Sequence, residues 1–68
     1  MPNMYKLRGT IIGKGYSTEE VAAKIGISRS SLYRKIADDG RSFSIKEADA
    51  IRKLLGLSWQ DTFAIFFD

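Results

Sequence analysis

The chain has 68 residues, 44% hydrophobic and 28% charged, which makes one small domain with no room for a second core. It has no cysteine and no histidine, so disulfides, thiolate metal sites and Ser-His or Cys-His nucleophilic chemistry are excluded; no enzyme activity and no cofactor are expected. The net charge of +3 is uneven: residues 1–37 carry seven basic and two acidic side chains, residues 38–68 four and six, so the halves stand at +5 and −2.

A basic half on so small a domain points to a polyanionic partner. The lack of cysteine fits an intracellular protein. Met1 to Lys14 has three basic residues and no long apolar stretch, so no signal peptide is expected. The apolar-rich run Thr62 to Phe67 is too short to span a bilayer, so no membrane is expected among the partners.

Taken in chain order, the first expected helix covers about residues 4–14, with Met4, Leu7 and Ile11 on one side. Its Thr10-Ile11-Ile12 run is β-branched and also suits extended backbone. After it, one pattern recurs four times. A large apolar residue precedes a serine, and a helix-forming stretch follows: Tyr16-Ser17, Ile27-Ser28, Phe43-Ser44 and Leu57-Ser58. A serine at the N-cap accepts a hydrogen bond from a first-turn N–H. Ser17 with Glu20 and Ser44 with Glu47 have the spacing of full capping boxes, and Ser58 has Asp61 at the same offset. The residue before each serine suits a hydrophobic staple: Tyr16 to Val21, Ile27 to Leu32, Phe43 to Ala48. Gly15, Gly26, Gly40 and Gly56 each follow a candidate helix, where a left-handed cap favours glycine. These marks predict further helices over about 18–25, 29–38, 45–55 and 59–66. The fold class is therefore all-α, a compact bundle of about five short helices in one domain over 1–68.

The second and third helices are joined by only Gly26-Ile27-Ser28. So short a turn forces a steep crossing, and Ala22 is the small residue such a contact needs. Val21, Ile25, Ile27 and Leu32 would form the seam. This is the layout of a helix-turn-helix over about 18–37, whose recognition helix, about 29–38, enters the major groove.

The stretch Ser17 to Ile36, STEEVAAKIGISRSSLYRKI, resembles the helix-turn-helix of bacterial and phage regulators. Its Ser-Arg-x-x-Leu-Tyr-Arg-Lys run is also similar to the C-terminal helix-turn-helix of Fis-type activators. The rest of the chain resembles the five-helix domain of small phage repressors of the Cro/CI, or lambda-repressor-like, type. Phe43-Ser-Ile-Lys-Glu-Ala and Leu54-Leu-Gly-Leu-Ser-Trp match how those proteins enter their last two helices. The resemblance spans about residues 4–67. One position departs from it: three after Leu32, where those repressors usually have an apolar residue, stands Lys35, and the apolar residue is Ile36. The resemblance implies a transcriptional regulator that binds double-stranded operator DNA in the cytoplasm of a bacterial host cell.

Helix geometry supplies the contacts independently. With Leu32 and Ile36 inward, and about 100° per residue, Ser30, Arg34 and Ala37 point most nearly outward, with Tyr33 and Ser31 beside them. Arg29 sits in the first turn. Arginine donates a bidentate pair to guanine, serine bonds several base edges, and tyrosine touches a thymine methyl or a phosphate. Arg29, Ser30, Tyr33 and Arg34 are the expected base contacts. Thr18, where the resembling repressors often have glutamine, begins the second helix and suits a phosphate. Ser28, Ser31, Lys35, Lys14 and Arg41 are further expected phosphate contacts, which would give affinity and salt dependence without sequence selection. Gly13-Lys14-Gly15 lacks the strand and spacing of a phosphate loop. Asp38-Asp39 reads as a turn rather than a metal site. Glu19 and Glu20 read as first-turn residues.

The last helix carries Trp59, Phe63, Phe66 and Phe67. Trp59 and Phe63 are expected in the core. So short a chain has little room to hide all four, so this face is also the expected protein interface. In the resembling repressors this region often dimerises, which implies a homodimer. The rival expectation is an anti-repressor or co-repressor of the same fold, whose partner is a phage repressor protein.

Overall fold

The computed structural model describes residues 1–67. Those residues form five helices and no strand: α1 (Met4–Gly13), α2 (Thr18–Ile25), α3 (Arg29–Ala37), α4 (Ile45–Leu55) and α5 (Trp59–Phe66). Each of the four serines accepts the expected N–H, Ser17 from Glu20, Ser28 from Ser31, Ser44 from Glu47 and Ser58 from Asp61. The two full capping boxes close, with Glu20 and Glu47 accepting the Ser17 and Ser44 N–H in return. All four glycines past the helix ends have positive φ.

The first helix starts on a cap the serine pattern did not include: the Asn3 side chain accepts the Lys6 N–H at 3.0 Å. The Asn3 N–H in turn donates to the Ile65 carbonyl of α5, tying the chain start to its last helix. The β-branched run stays helical for two reasons. Thr10 Oγ1 donates back to the Lys6 carbonyl at 2.7 Å, so its hydroxyl does not compete with the helix. Ile11, with Met4 and Leu7, is buried in the core.

All five helices contribute to that core. Leu7, Ile11, Val21, Leu32, Ile51 and Ile65 are almost wholly removed from water. Burying side chains of this size stabilises by about 1.5–3 kcal/mol each. Tyr16, Ile27 and Phe43, the residues before three of the capping serines, pack on the rim of the same cluster.

Two of the left-handed connections, before and after α3, set its path. Gly26, at φ 85°, ends α2, and its N–H and that of Ile27 both donate to the Ala22 carbonyl. That closes the turn tightly enough for Ala22 to be buried in the seam between α2 and α3. After α3, Asp39 (φ 58°) and Gly40 (φ 76°) reverse the chain. Gly40 is also closely approached: a Cβ there would stand 2.6 Å from the flexible Met4 Cε and 3.1 Å from Pro2 Cβ.

The expected inward face of α5 is corrected by one residue of rotation. Thr62, Ile65 and Phe66 face the core; Phe66, expected with Phe67 at the protein interface, is only 5% exposed and packs edge-on against Phe43 with ring centroids 5.1 Å apart. Trp59 and Phe63, expected inside, are 65% and 60% exposed, and Phe67 is 50% exposed. Thr62 takes the inner position because its hydroxyl donates to the Ser58 carbonyl at 2.8 Å and arrives in the core already satisfied. Trp59 is held outside by stacking, with the Arg52 guanidinium 4.1 Å from its ring centroid.

Candidate DNA-binding surface

The outward face of α3 is built by its buried side. Leu32 is fully buried and Ile36 packs on the core rim. Arg29, Ser30, Tyr33, Arg34 and Ala37 are then all exposed, and Ser31 is half-buried beside them. The four expected base contacts thus share one solvent-facing surface. Among the described residues, neither Arg29 nor Arg34 has a carboxylate within ion-pair distance. By contrast Lys6, Lys35, Arg41, Arg52 and Lys53 are all paired.

A small hydrogen-bond chain orders the first turn of α3. Ser28 Oγ accepts the Ser31 N–H at 3.1 Å and donates to Ser31 Oγ at 2.9 Å. The Arg34 guanidinium donates to Ser31 Oγ at 3.4 Å. Ser31 keeps its own hydroxyl proton for an outside acceptor. The Ser28 hydroxyl, expected at a phosphate, thus accepts and donates within the cap.

Lys35, also expected at a phosphate, has two internal partners. Its ammonium donates to the Ser42 carbonyl at 3.0 Å and lies 3.3 Å from Glu47 Oε1. It ties α3 to the start of α4 from a half-buried position. Arg41 is exposed and stands 3.8 Å from Asp39. Lys14 is exposed at the end of α1.

Thr18 and Tyr33 are brought together across α2 and α3, where with Arg8, Ile36 and Ala37 they line an open concavity of about 270 Å³. Arg8 was not singled out in the sequence. Its place follows from α1: beside the buried Leu7 it sits on the flank that turns toward the end of α3. Glu19 was also passed over as a first-turn residue. It accepts the Tyr33 hydroxyl proton at 3.0 Å. Its own backbone N–H, then the Tyr33 hydroxyl, hold its carboxyl below the usual range. A tyrosine fourteen residues away gives no local pattern by which this pair could be read.

The helix-turn-helix family model matches residues 7–61, most of the chain and all of α2, α3 and α4. The chain belongs to the helix-turn-helix family of the Cro/CI type. It is a DNA-binding transcriptional regulator by that membership. The surface just described therefore lies on the module by which helix-turn-helix proteins read DNA. Neither the curated proteins nor the solved structures include a match to this chain. Among the described residues, no group of acidic side chains has the arrangement of a metal site, and no helix is long and apolar enough to cross a membrane.

Proposed function

We propose that this helix-turn-helix protein is a sequence-specific regulator of phage type, which places α3 in the major groove of an operator and blocks or redirects polymerase. The observation that carries the reading is the pair of carboxylate-free arginines, Arg29 and Arg34, on the exposed face of α3 with Ser30 and Tyr33 between them. Exposed guanidinium groups without a carboxylate partner lose no ion pair when they meet a base edge. Arg29, Ser30, Tyr33 and Arg34 contact bases; Thr18, Ser31, Lys14 and Arg41 contact phosphates. Lys35 and Ser28 are left out because internal partners occupy them. No cofactor takes part, and the setting is the cytoplasm of a bacterial host.

The regulator works as a homodimer. One recognition helix covers one half-site, and a pseudo-palindromic operator needs two. The second copy docks on an apolar cleft of about 300 Å³ lined by Ile45, Trp59, Thr62, Phe63 and Phe67. None of these residues belongs to α2 or α3, so docking there leaves the recognition helix free.

The same cleft favours one second reading, an anti-repressor or co-repressor whose main partner is a phage repressor protein. A salt-titrated binding assay on the early promoter region, with and without the neighbouring repressor, separates the two. DNA reading gives binding by the chain alone that weakens linearly in log salt. Absent or salt-insensitive binding by the chain alone overturns it in favour of the protein partner.

A further inference from the structure

The Tyr33 hydroxyl is both a donor and an acceptor, and a tyrosine free in solvent would offer either to DNA. Here its proton points to Glu19, 3.0 Å away on the neighbouring helix. A carboxylate only accepts, so it fixes the direction of that hydrogen bond. Toward the duplex the phenol oxygen then has only lone pairs. Phosphate oxygens, guanine O6 and N7, and thymine O4 are all acceptors, and they gain nothing from such a group. Adenine N6 and cytosine N4 are the major-groove donors, and they match it.

The second observation is where Glu19 stands. It is exposed, on the helix beside the recognition face, and the charge of Arg29 reaches it. An acidic group here repels phosphates and lowers sequence-independent affinity. The capping box itself is closed by Ser17 and Glu20, while Glu19 accepts its own backbone N–H in the same turn.

We propose that Glu19 is a positioning residue that sets the polarity of the Tyr33 hydroxyl, so that this pair selects an exocyclic base amine, adenine N6 or cytosine N4, at one position of the operator. The inference rests on the DNA-reading function proposed above. It assigns Tyr33 to a base edge and not to a phosphate, and it gives a second role to a carboxylate whose charge by itself weakens binding to DNA.

The test selects duplexes from a randomised library with the full chain and with Glu19→Ala, Glu19→Gln and Tyr33→Phe, each checked for an unchanged melting temperature. The wild type enriches adenine or cytosine on one strand at one position. Tyr33→Phe loses that preference, by about fivefold for one hydrogen bond, and keeps the others. Glu19→Ala frees the phenol to donate, so guanine and thymine become tolerated at that same position, and affinity for a scrambled duplex rises. Glu19→Gln raises the scrambled-duplex affinity too, but its amide oxygen still accepts, so the amine preference is rescued. A consensus that Glu19→Ala and Tyr33→Phe leave unchanged overturns the inference while the DNA-reading function stands. If the wild type enriches no sequence, that function itself fails, and the inference with it.

Discussion

Glu47 Oε1 receives two donors at once, the Lys35 ammonium at 3.3 Å and the Ser44 N–H at 2.8 Å. One carboxylate thus joins the cap of α4 to the last turn of α3. Burial, the largest single influence, pushes the Glu47 carboxyl up. The Ser44 N–H and Lys35 together outweigh it and hold the carboxyl below its ordinary value of 4.5. A carboxyl with a lowered pKa in the folded state contributes stability above its unfolded value, and that stability is lost as pH falls through the folded one. The wild type is therefore expected to lose melting temperature below about pH 4.5. Glu47→Gln is expected to be less stable than wild type at neutral pH and to show a flatter acid limb. Thermal melts followed by circular dichroism at stepped pH check both; an acid limb as steep as wild type's would remove Glu47 as a source.

Lys35→Met separates a structural lysine from a phosphate contact. It removes one half-buried ion pair and one hydrogen bond to the Ser42 carbonyl, a loss of about 1 kcal/mol in stability. The slope of log affinity against log salt is expected to stay as in wild type. Lys14→Ala is expected to do the reverse, keeping stability and reducing that slope by about one unit. A reduced slope for Lys35→Met would return Lys35 to the DNA surface.

Much of this division was legible before the fold was known. The capping serines and left-handed glycines are local signals, set by residues within one turn of each other, and they placed the helices to within a residue or two. The outward face of α3 was legible for the same reason, since Leu32 and Ile36 fix its phase. Asn3 escaped because its cap precedes the first apolar residue by one position, with no serine to mark it. What failed was α5, where apolar residues lie on every side and the phase has no unique answer. There the deciding residue is polar: Thr62 enters the core because the Ser58 carbonyl satisfies it. The Tyr33–Glu19 and Lys35–Glu47 pairs were out of reach because each spans two helices.

Arg34→Ala is expected to weaken specific binding by about 1–3 kcal/mol with an unchanged helical spectrum. Arg34 is exposed, and among the described residues its side chain makes one hydrogen bond, at 3.4 Å to Ser31 Oγ, so stability hardly depends on the side chain. Equal losses on selected and scrambled duplexes would make Arg34 a phosphate contact instead of a base contact.

Gly40→Ala tests the connection after α3. Glycine alone holds φ 76° without strain, and the added methyl meets the Met4 side chain at 2.6 Å. The methionine end can move, which leaves the backbone strain and a partial repacking, a cost of about 1–3 kcal/mol. Gly26→Ala, with the same positive φ and open space around it, is expected to cost less. Chemical denaturation of the two variants gives the comparison, and equal midpoints would show that the Met4 contact relaxes fully.

The rotation of α5 gives opposite expectations for neighbouring phenylalanines. Phe66 is 5% exposed and packed edge-on against Phe43, so Phe66→Ala opens a cavity and costs about 3–5 kcal/mol, enough to unfold much of so small a domain. Phe63 is 60% exposed and lines the apolar cleft with Trp59 and Ile45, so Phe63→Ser is expected to keep the melting temperature of the isolated chain. If the cleft takes a second copy, Phe63→Ser shifts sedimentation toward the monomer and weakens binding to a two-half-site duplex more than to a single half-site. A monomeric wild type at concentrations that saturate the operator would remove the second copy as the occupant. The cleft would then be left to a different protein, since an exposed apolar surface of this kind marks an association site.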